Sequence, residues 1–237
     1  MRGLGTVINT VLVLAGSGVG YFIGHRINDN VRVTVVQTIG LVTIALGVSD
    51  AGGTHNMVFP LVGMVVGAVI GELLGIEDRL EALGLILQRR FAKSTDDSVD
   101  AKSDKSFVTG FVTATLLFCV GPLTILGAIQ DATGETPQLY IIKGSLDGFV
   151  AIIFTATYGL GVAFSALSVF VVQGTLTLLG SFLDSALDER MRTELFAAGG
   201  LAVIAIGINL LEIKRIRLGS LLPGLLVTPV LVAIFAR

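Results

Sequence analysis

Lys143 and Asp147 stand four residues apart inside an otherwise apolar run, Lys143-Gly144-Ser145-Leu146-Asp147-Gly148-Phe149. Four residues is about one helical turn, so the ammonium and the carboxylate can meet on one helix face. Ionisable groups inside a membrane are costly and usually face a cavity or a partner. The pair is therefore a candidate lining for a solute or ion pathway, and a structural ion pair near the interface is the plainer alternative. A second constellation is Cys119-Val120-Gly121-Pro122-Leu123-Thr124. Proline removes a helix hydrogen bond and glycine adds backbone freedom. A break at Gly121 and Pro122 would free carbonyls that can coordinate an ion or solute, with Thr124 beside it. A harmless kink is the alternative. Asn9, Gln37, Gln173 and Asn209 are neutral amides within apolar runs. They either join helices by hydrogen bonds of about 1 kcal/mol or line a polar pathway.

Other chemistries lack their residues. His25 and His55 fall in expected loops on opposite sides, and no His/Cys cluster has metal-ligand spacing. There is no G-x-x-x-x-G-K-[ST] phosphate loop and no Gly-x-Ser-x-Gly elbow. Gly16-Ser17-Gly18-Val19-Gly20 is a packing face in an apolar span and a weak nucleotide signal. The lone Cys119 excludes an intramolecular disulfide, and a buried inert thiol is its expected state. No enzyme, cofactor, metal or nucleic-acid partner is expected.

The elements that must position these residues follow from composition. The 237 residues are 53% hydrophobic and 14% charged, with 30 glycines, a net charge of -2 and a mean hydropathy of +0.86. A soluble domain carries about 25% charged residues, so this chain cannot cover its apolar surface in water. A polytopic helical membrane protein remains, with the lipid bilayer as its surroundings. Continuous apolar runs fall at 5–24, 33–49, 57–76, 107–130, 140–159, 162–183, 194–212 and 218–236. Each approaches the roughly 20 residues a spanning helix needs, which predicts about eight transmembrane helices in one integral membrane domain over 1–237. A cleavable signal peptide is the alternative for the first run. Barrel strands would alternate apolar and polar residues, which these runs do not. Between the fifth and sixth runs, Tyr158-Gly159-Leu160-Gly161 reads as a tight turn, or else as part of a long helix with a re-entrant segment.

Residues 77–92 place Leu80, Leu83, Leu87 and Phe91 at helical spacing among charges, the pattern of an interfacial amphipathic helix. The polar stretch 93–106 reads as a flexible cytoplasmic linker. Eleven of the sixteen Lys and Arg residues fall in the loops between spans 1–2, 3–4, 5–6 and 7–8. Basic residues concentrate in cytoplasmic loops, so both termini are expected outside.

Shifted by 160 positions, residues 27–48 match 187–208 at Arg32/Arg192, Gly40/Gly200, Leu41/Leu201, Ile44/Ile204, Ala45/Ala205 and Gly47/Gly207. Each copy precedes a helix opening near a proline, Pro60 or Pro223, after a loop three residues longer in the second copy. Spans 1–3 thus resemble spans 6–8, and a displacement of five spans forces opposite orientations. Inverted repeats of this kind are a known transporter construction, with the site near the midplane. Chance likeness among small-and-apolar helices is the alternative. Gly63, Gly67, Gly71 and Gly75 in span 3, and Gly16, Gly20 and Gly24 in span 1, lie four apart. Such a face serves close packing within the protein or a homo-oligomer, or else a moving contact.

Phe118-Cys119-Val120-Gly121-Pro122-Leu123-Thr124-Ile125-Leu126-Gly127-Ala128-Ile129-Gln130-Asp131 resembles the hallmark of the bacterial inner-membrane proteins grouped as domain-of-unknown-function family 554. So do Leu146-Asp147-Gly148-Phe149, Gln173-Gly174-Thr175-Leu176-Thr177-Leu178, Gly5-Thr6-Val7-Ile8-Asn9 and Ile70-Gly71-Glu72-Leu73-Leu74-Gly75-Ile76-Glu77. The resemblance covers nearly the whole chain apart from 93–106. It implies inner-membrane location and topology class, and no catalytic residue. The function expected is a transporter or channel for a small solute or ion, with Gly121, Pro122, Thr124 and Asp147 lining the pathway. Lys143 would tune Asp147, and Asn9, Gln173 and Asn209 would add hydrogen bonds. A non-transporting scaffold associating through Gly63, Gly67 and Gly71 is the alternative.

Overall fold

The computed structural model describes residues 2–24, 26–91, 101–134 and 136–236, and among them every regular element is helical. In chain order these are α1 (Leu4–Gly24), α2 (Asp29–Gly52), α3 (Val58–Leu73), α4 (Ile76–Phe91), α5 (Ala101–Cys119), α6 (Pro122–Thr133), α7 (Gln138–Tyr158), α8 (Gly161–Leu178), α9 (Gly180–Ala186), α10 (Glu189–Leu210) and α11 (Leu218–Phe235). The all-α membrane architecture is therefore present. Among the described residues, six helices are long and apolar enough to cross a membrane alone. Two pairs reach that length and apolarity together, α3 with α4 bent by 52° and α5 with α6 bent by 60°, giving up to eight crossings.

Most expected spans coincide with a helix to within a few residues. The run 57–76 stops early because Gly75 takes a left-handed φ of 60°, after which the chain turns into α4. The run 107–130 is split at Val120-Gly121, with Pro122 opening α6, where its missing N–H costs nothing. The run 162–183 ends as α8 at Leu178 and continues as the short α9. The linker expected over 93–106 lies largely outside the described residues. Residues 92–100 lie outside the described residues, but 101–106 already belong to α5. That stretch contains neither glycine nor proline, so nothing in it stops the helix from extending toward 101.

Helix directions follow from which residues the glycines face. Gly5 faces Pro137 and Tyr140, Gly16 faces Gly148, Gly20 faces Ile152 and Gly24 faces Ala156, so α1 and α7 run parallel. Gly40 faces Gly207 while Gly47 faces Gly200, so α2 and α10 run antiparallel. Gly63, Gly67 and Gly71 face Thr228, Gly224 and Ser220, so α3 and α11 are antiparallel too. That glycine face is thereby covered by α11 of the same chain, the close-packing reading of the stripe. On α5 and α8, Gly110 faces Val162 and Thr115 Oγ1 lies 3.1 Å from Ser168 Oγ, a parallel pair.

These directions agree with eight crossings in which each bent pair counts once. The first face of the bundle carries the start of α1 and the end of α11, and the second face carries the end of α1 and the start of α11. At Gly159, φ is 81° and the chain reverses, so α7 and α8 form an antiparallel hairpin rather than one long helix.

The interior is small and partly polar, and the outside is large and apolar. On α1, Gly5, Thr6, Asn9, Val13, Gly16, Ser17, Gly20 and Gly24 are buried, while Val7, Val11 and Leu14 are exposed. Lipid supplies little hydrophobic drive between helices, so close backbone approach and hydrogen bonds hold such a bundle instead.

Candidate functional site

Asp147 lies near the middle of α7, with Lys143 one turn before it, and the two form a buried ion pair. Behind the carboxylate, on α1, Asn9 Nδ2 donates to Asp147 Oδ2 at 3.2 Å and to Gln173 Oε1 of α8 at 3.1 Å. Gly144 makes this possible. A Cβ there would lie 3.0 Å from Asn9 Cα, so glycine lets α1 come close enough for its short amide to reach. Asn9 and Gln173 are fully buried. Asn9 Oδ1 and Gln173 Nε2 have no protein partner among the described residues. A buried ammonium and carboxylate hold each other in place. Removing one partner of such a pair typically costs about 3–5 kcal/mol.

Lys143 and Asp147 form part of the wall of a cleft of about 690 Å³ between α2, the α5–α6 break, α7 and α10. Gly121, Thr43, Ser49, Asp50 and Thr193 line it as well. Asp50 and Thr193 lie toward the first face, so the cleft runs from that face down to the ion pair. A second cleft, of about 370 Å³, lies toward the opposite face. Thr109, Thr113 and Leu116 of α5, Glu77 and Glu81 of α4, and Asn209, Leu210, Glu212, Lys214 and Arg215 supply much of its lining. The two clefts approach each other at the end of α5.

The expected site residues thus divide. Lys143, Asp147, Asn9 and Gln173 form one connected group, and Gly121 lines the same cleft. Pro122 opens α6. Thr124 is buried at the break but does not line the cleft; its carbonyl accepts the Tyr140 hydroxyl at 2.8 Å, and its own Oγ1 has no protein partner among the described residues. Asn209 lies apart from the group. Its amide donates to Ile216 O at 2.8 Å and accepts from Ile216 N at 2.7 Å, pinning the loop before α11. Gln37 is exposed on α2.

Several polar positions carry more than their sequence context suggests. Asp131 reads as a solvated helix end, yet it is fully buried. It accepts from Gly5 N at 2.9 Å, Thr6 N at 3.1 Å and Thr6 Oγ1 at 3.2 Å, with Thr177 Oγ1 alongside. A carboxylate from α6 thereby satisfies the first amides of α1, which its own sequence leaves uncapped. Glu194 does the same for the α2–α3 loop, accepting from Thr54 Oγ1, His55 N and Asn56 N. Glu72 pairs with Arg217 and accepts from Ser220 Oγ. The clue available for Asp131 is its place in the resemblance stretch.

The family model described as "Protein of unknown function (DUF554)" matches residues 4–233. "Uncharacterized membrane protein YdfK" of Bacillus subtilis (strain 168) is 30% identical over 96% of this chain and 95% of its own. "Uncharacterized protein YqgA" of Escherichia coli (strain K12) is 26% identical over 94% of this chain and 93% of its own. "Putative manganese efflux pump MntP" of Syntrophotalea carbinolica is 29% identical over 40% of this chain and 56% of its own. No solved structure matches.

Proposed function

This chain belongs to the DUF554 family of membrane proteins, and from that premise we propose that it is a transporter or channel for a small solute or ion. The observation that carries the reading is the pair of clefts that enter from opposite faces, one of which has the buried Lys143–Asp147 pair in its wall. A buried charge pair is a poor choice for stability alone, since apolar residues of similar volume do as well. At a cleft wall it offers charge to a solute away from bulk water. The partial likeness to a protein named as a manganese efflux pump is compatible with this reading.

An inverted-repeat construction belongs to the same proposal, and paired local features support it. Asn28 caps α2 and Asp188, 160 residues later, caps α10. Arg32 Nη2 donates to the carbonyl of Gly24, and Arg192 Nη2 donates to that of Asp184, each eight residues back. Gly40 meets Gly207 while Gly47 meets Gly200, the reciprocal contact a two-fold relation produces. The pathway would then lie between the repeats, in a bacterial inner membrane, with the basic loops cytoplasmic and both termini outside.

The test is flux through purified protein in liposomes, with Mn²⁺, Na⁺ and K⁺ as probes in turn. Asp147→Asn should lower the flux of any carried probe by about tenfold or more, the equivalent of about 1.4 kcal/mol in the barrier. Unchanged flux in a folded variant would remove Asp147 from the pathway.

A further inference from the structure

No lining residue is shared by the two clefts, and the positions between them on α10 and at the end of α5 are apolar. On α10, Val203 lines the first cleft and Leu210 the second. Ile206 lies between them, one turn from each, and is 1% exposed. Just past α5, Val120 lines the first cleft, and Leu116, four residues earlier in the last turn of α5, lines the second and is 2% exposed. Leu116, Val120, Ile206 and Leu210 belong to one packed apolar cluster, and α5 touches α10. Seven residues of helix from Val203 to Leu210 rise about 10 Å, so the partition is thin compared with a hydrocarbon core of about 30 Å.

We infer that Ile206 and Leu116 form the closed gate between a cleft open to the first face and a cleft open to the second. This rests on the pathway reading and adds its barrier. An apolar constriction excludes ions because water leaves it, so it closes a path without any charged latch. The neighbouring break gives the gate a means to move. The α5 helix ends at Cys119, Val120 and Gly121 are non-helical, and α6 departs at 60°. Leu116 is thus carried by a helix end rather than by mid-helix backbone. The two clefts also occupy matching places in the repeats, since Ser49 lines the first and Asn209, 160 residues on, lines the second.

The experiment uses the full chain with Cys119→Ser as background, reconstituted in liposomes loaded with K⁺. Ile206→Ser should admit water to the partition and raise the passive K⁺ leak by about tenfold. Leu116→Ser should do the same. Val169→Ser, at an equally buried apolar position on α8 away from both clefts, should leave the leak at background. In parallel, Ser49→Cys and Thr113→Cys should react with an impermeant thiol reagent from opposite sides of the membrane. If both gate variants leak no more than Val169→Ser while wild-type flux of any probe persists, the gate is overturned and the pathway reading stands. If Ser49→Cys and Thr113→Cys react from the same side, both fall.

Discussion

Asn9 Nδ2 lies 3.2 Å from Asp147 Oδ2, so the carboxylate at the cleft wall is held from α1 as well as by Lys143 on its own helix. Asn9→Ala removes the donor to Asp147 and to Gln173 at once, leaving the buried Gln173 Oε1 without that donor and Asp147 held by Lys143 alone. Such a loss costs about 1–3 kcal/mol. Asn9→Asp should cost more, because it sets a second carboxylate against the first. Unfolding midpoints in detergent should therefore fall in the order wild type, Asn9→Ala, Asn9→Asp. An Asn9→Asp protein as stable as wild type would contradict the placement of Asn9 against Asp147.

The glycine stripes make a position-specific prediction. A Cβ on Gly67 would overlap the backbone of Gly224, so Gly67→Ala must push α3 from α11 and should cost about 1–3 kcal/mol. Gly18, on the same α1 helix as the packed Gly16 and Gly20, has nothing within 4 Å of where a Cβ would stand. Gly18→Ala should be neutral or stabilising by about 0.5–1 kcal/mol, the ordinary helix gain of alanine over glycine. Equal melting shifts for the two variants would overturn the assigned helix faces.

Much of this architecture is legible in the sequence because lipid imposes a simple rule, that backbone groups be satisfied within a continuous apolar helix. That rule yields the spans. The Lys143–Asp147 pair is equally legible, since i,i+4 spacing fixes it within one helix. Gly121-Pro122 likewise announces the α5–α6 break. What spacing cannot reveal is a partner from another helix. Asn209 and Asn9 look alike in sequence as amides inside apolar runs, yet Asn209 turns to Ile216 in its own loop and Asn9 to Asp147 and Gln173. Asp131 follows an apolar run like any helix end, and its burial depends on the start of α1, more than a hundred residues away.

Asp131 should then behave as an anchor for α1. Asp131→Asn keeps one acceptor oxygen for the Gly5 and Thr6 amides and loses the charge that faces the helix N-terminus. A loss of about 1 kcal/mol is expected from the weaker dipole interaction and the poorer hydrogen bonding. Asp131→Leu removes both oxygens and should cost at least about 2 kcal/mol, because two backbone N–H groups and two threonine hydroxyls lose their acceptor. Hydrogen exchange at Gly5 and Thr6 should rise in both variants, more in the second. Protection left intact in Asp131→Leu would show that α1 is capped in another way.

The bent pairs decide where the termini lie. If α3 with α4 and α5 with α6 each cross once, the crossings number eight and the ends of α1 and α11 share a face. The helix directions demand the same, since α1 parallels α7 while α11 opposes α3. Reporters fused at the N-terminus and at the C-terminus should therefore agree with each other. The basic residues around Arg26 and Arg32, Arg79 to Arg90, and Lys214 to Arg217 lie toward the opposite face, which the positive-inside rule predicts to be cytoplasmic. A reporter active only in the cytoplasm should thus be silent at both ends. Activity at both ends would invert the orientation and leave the bundle intact, whereas disagreement between the ends would mean that one bent pair turns back without crossing.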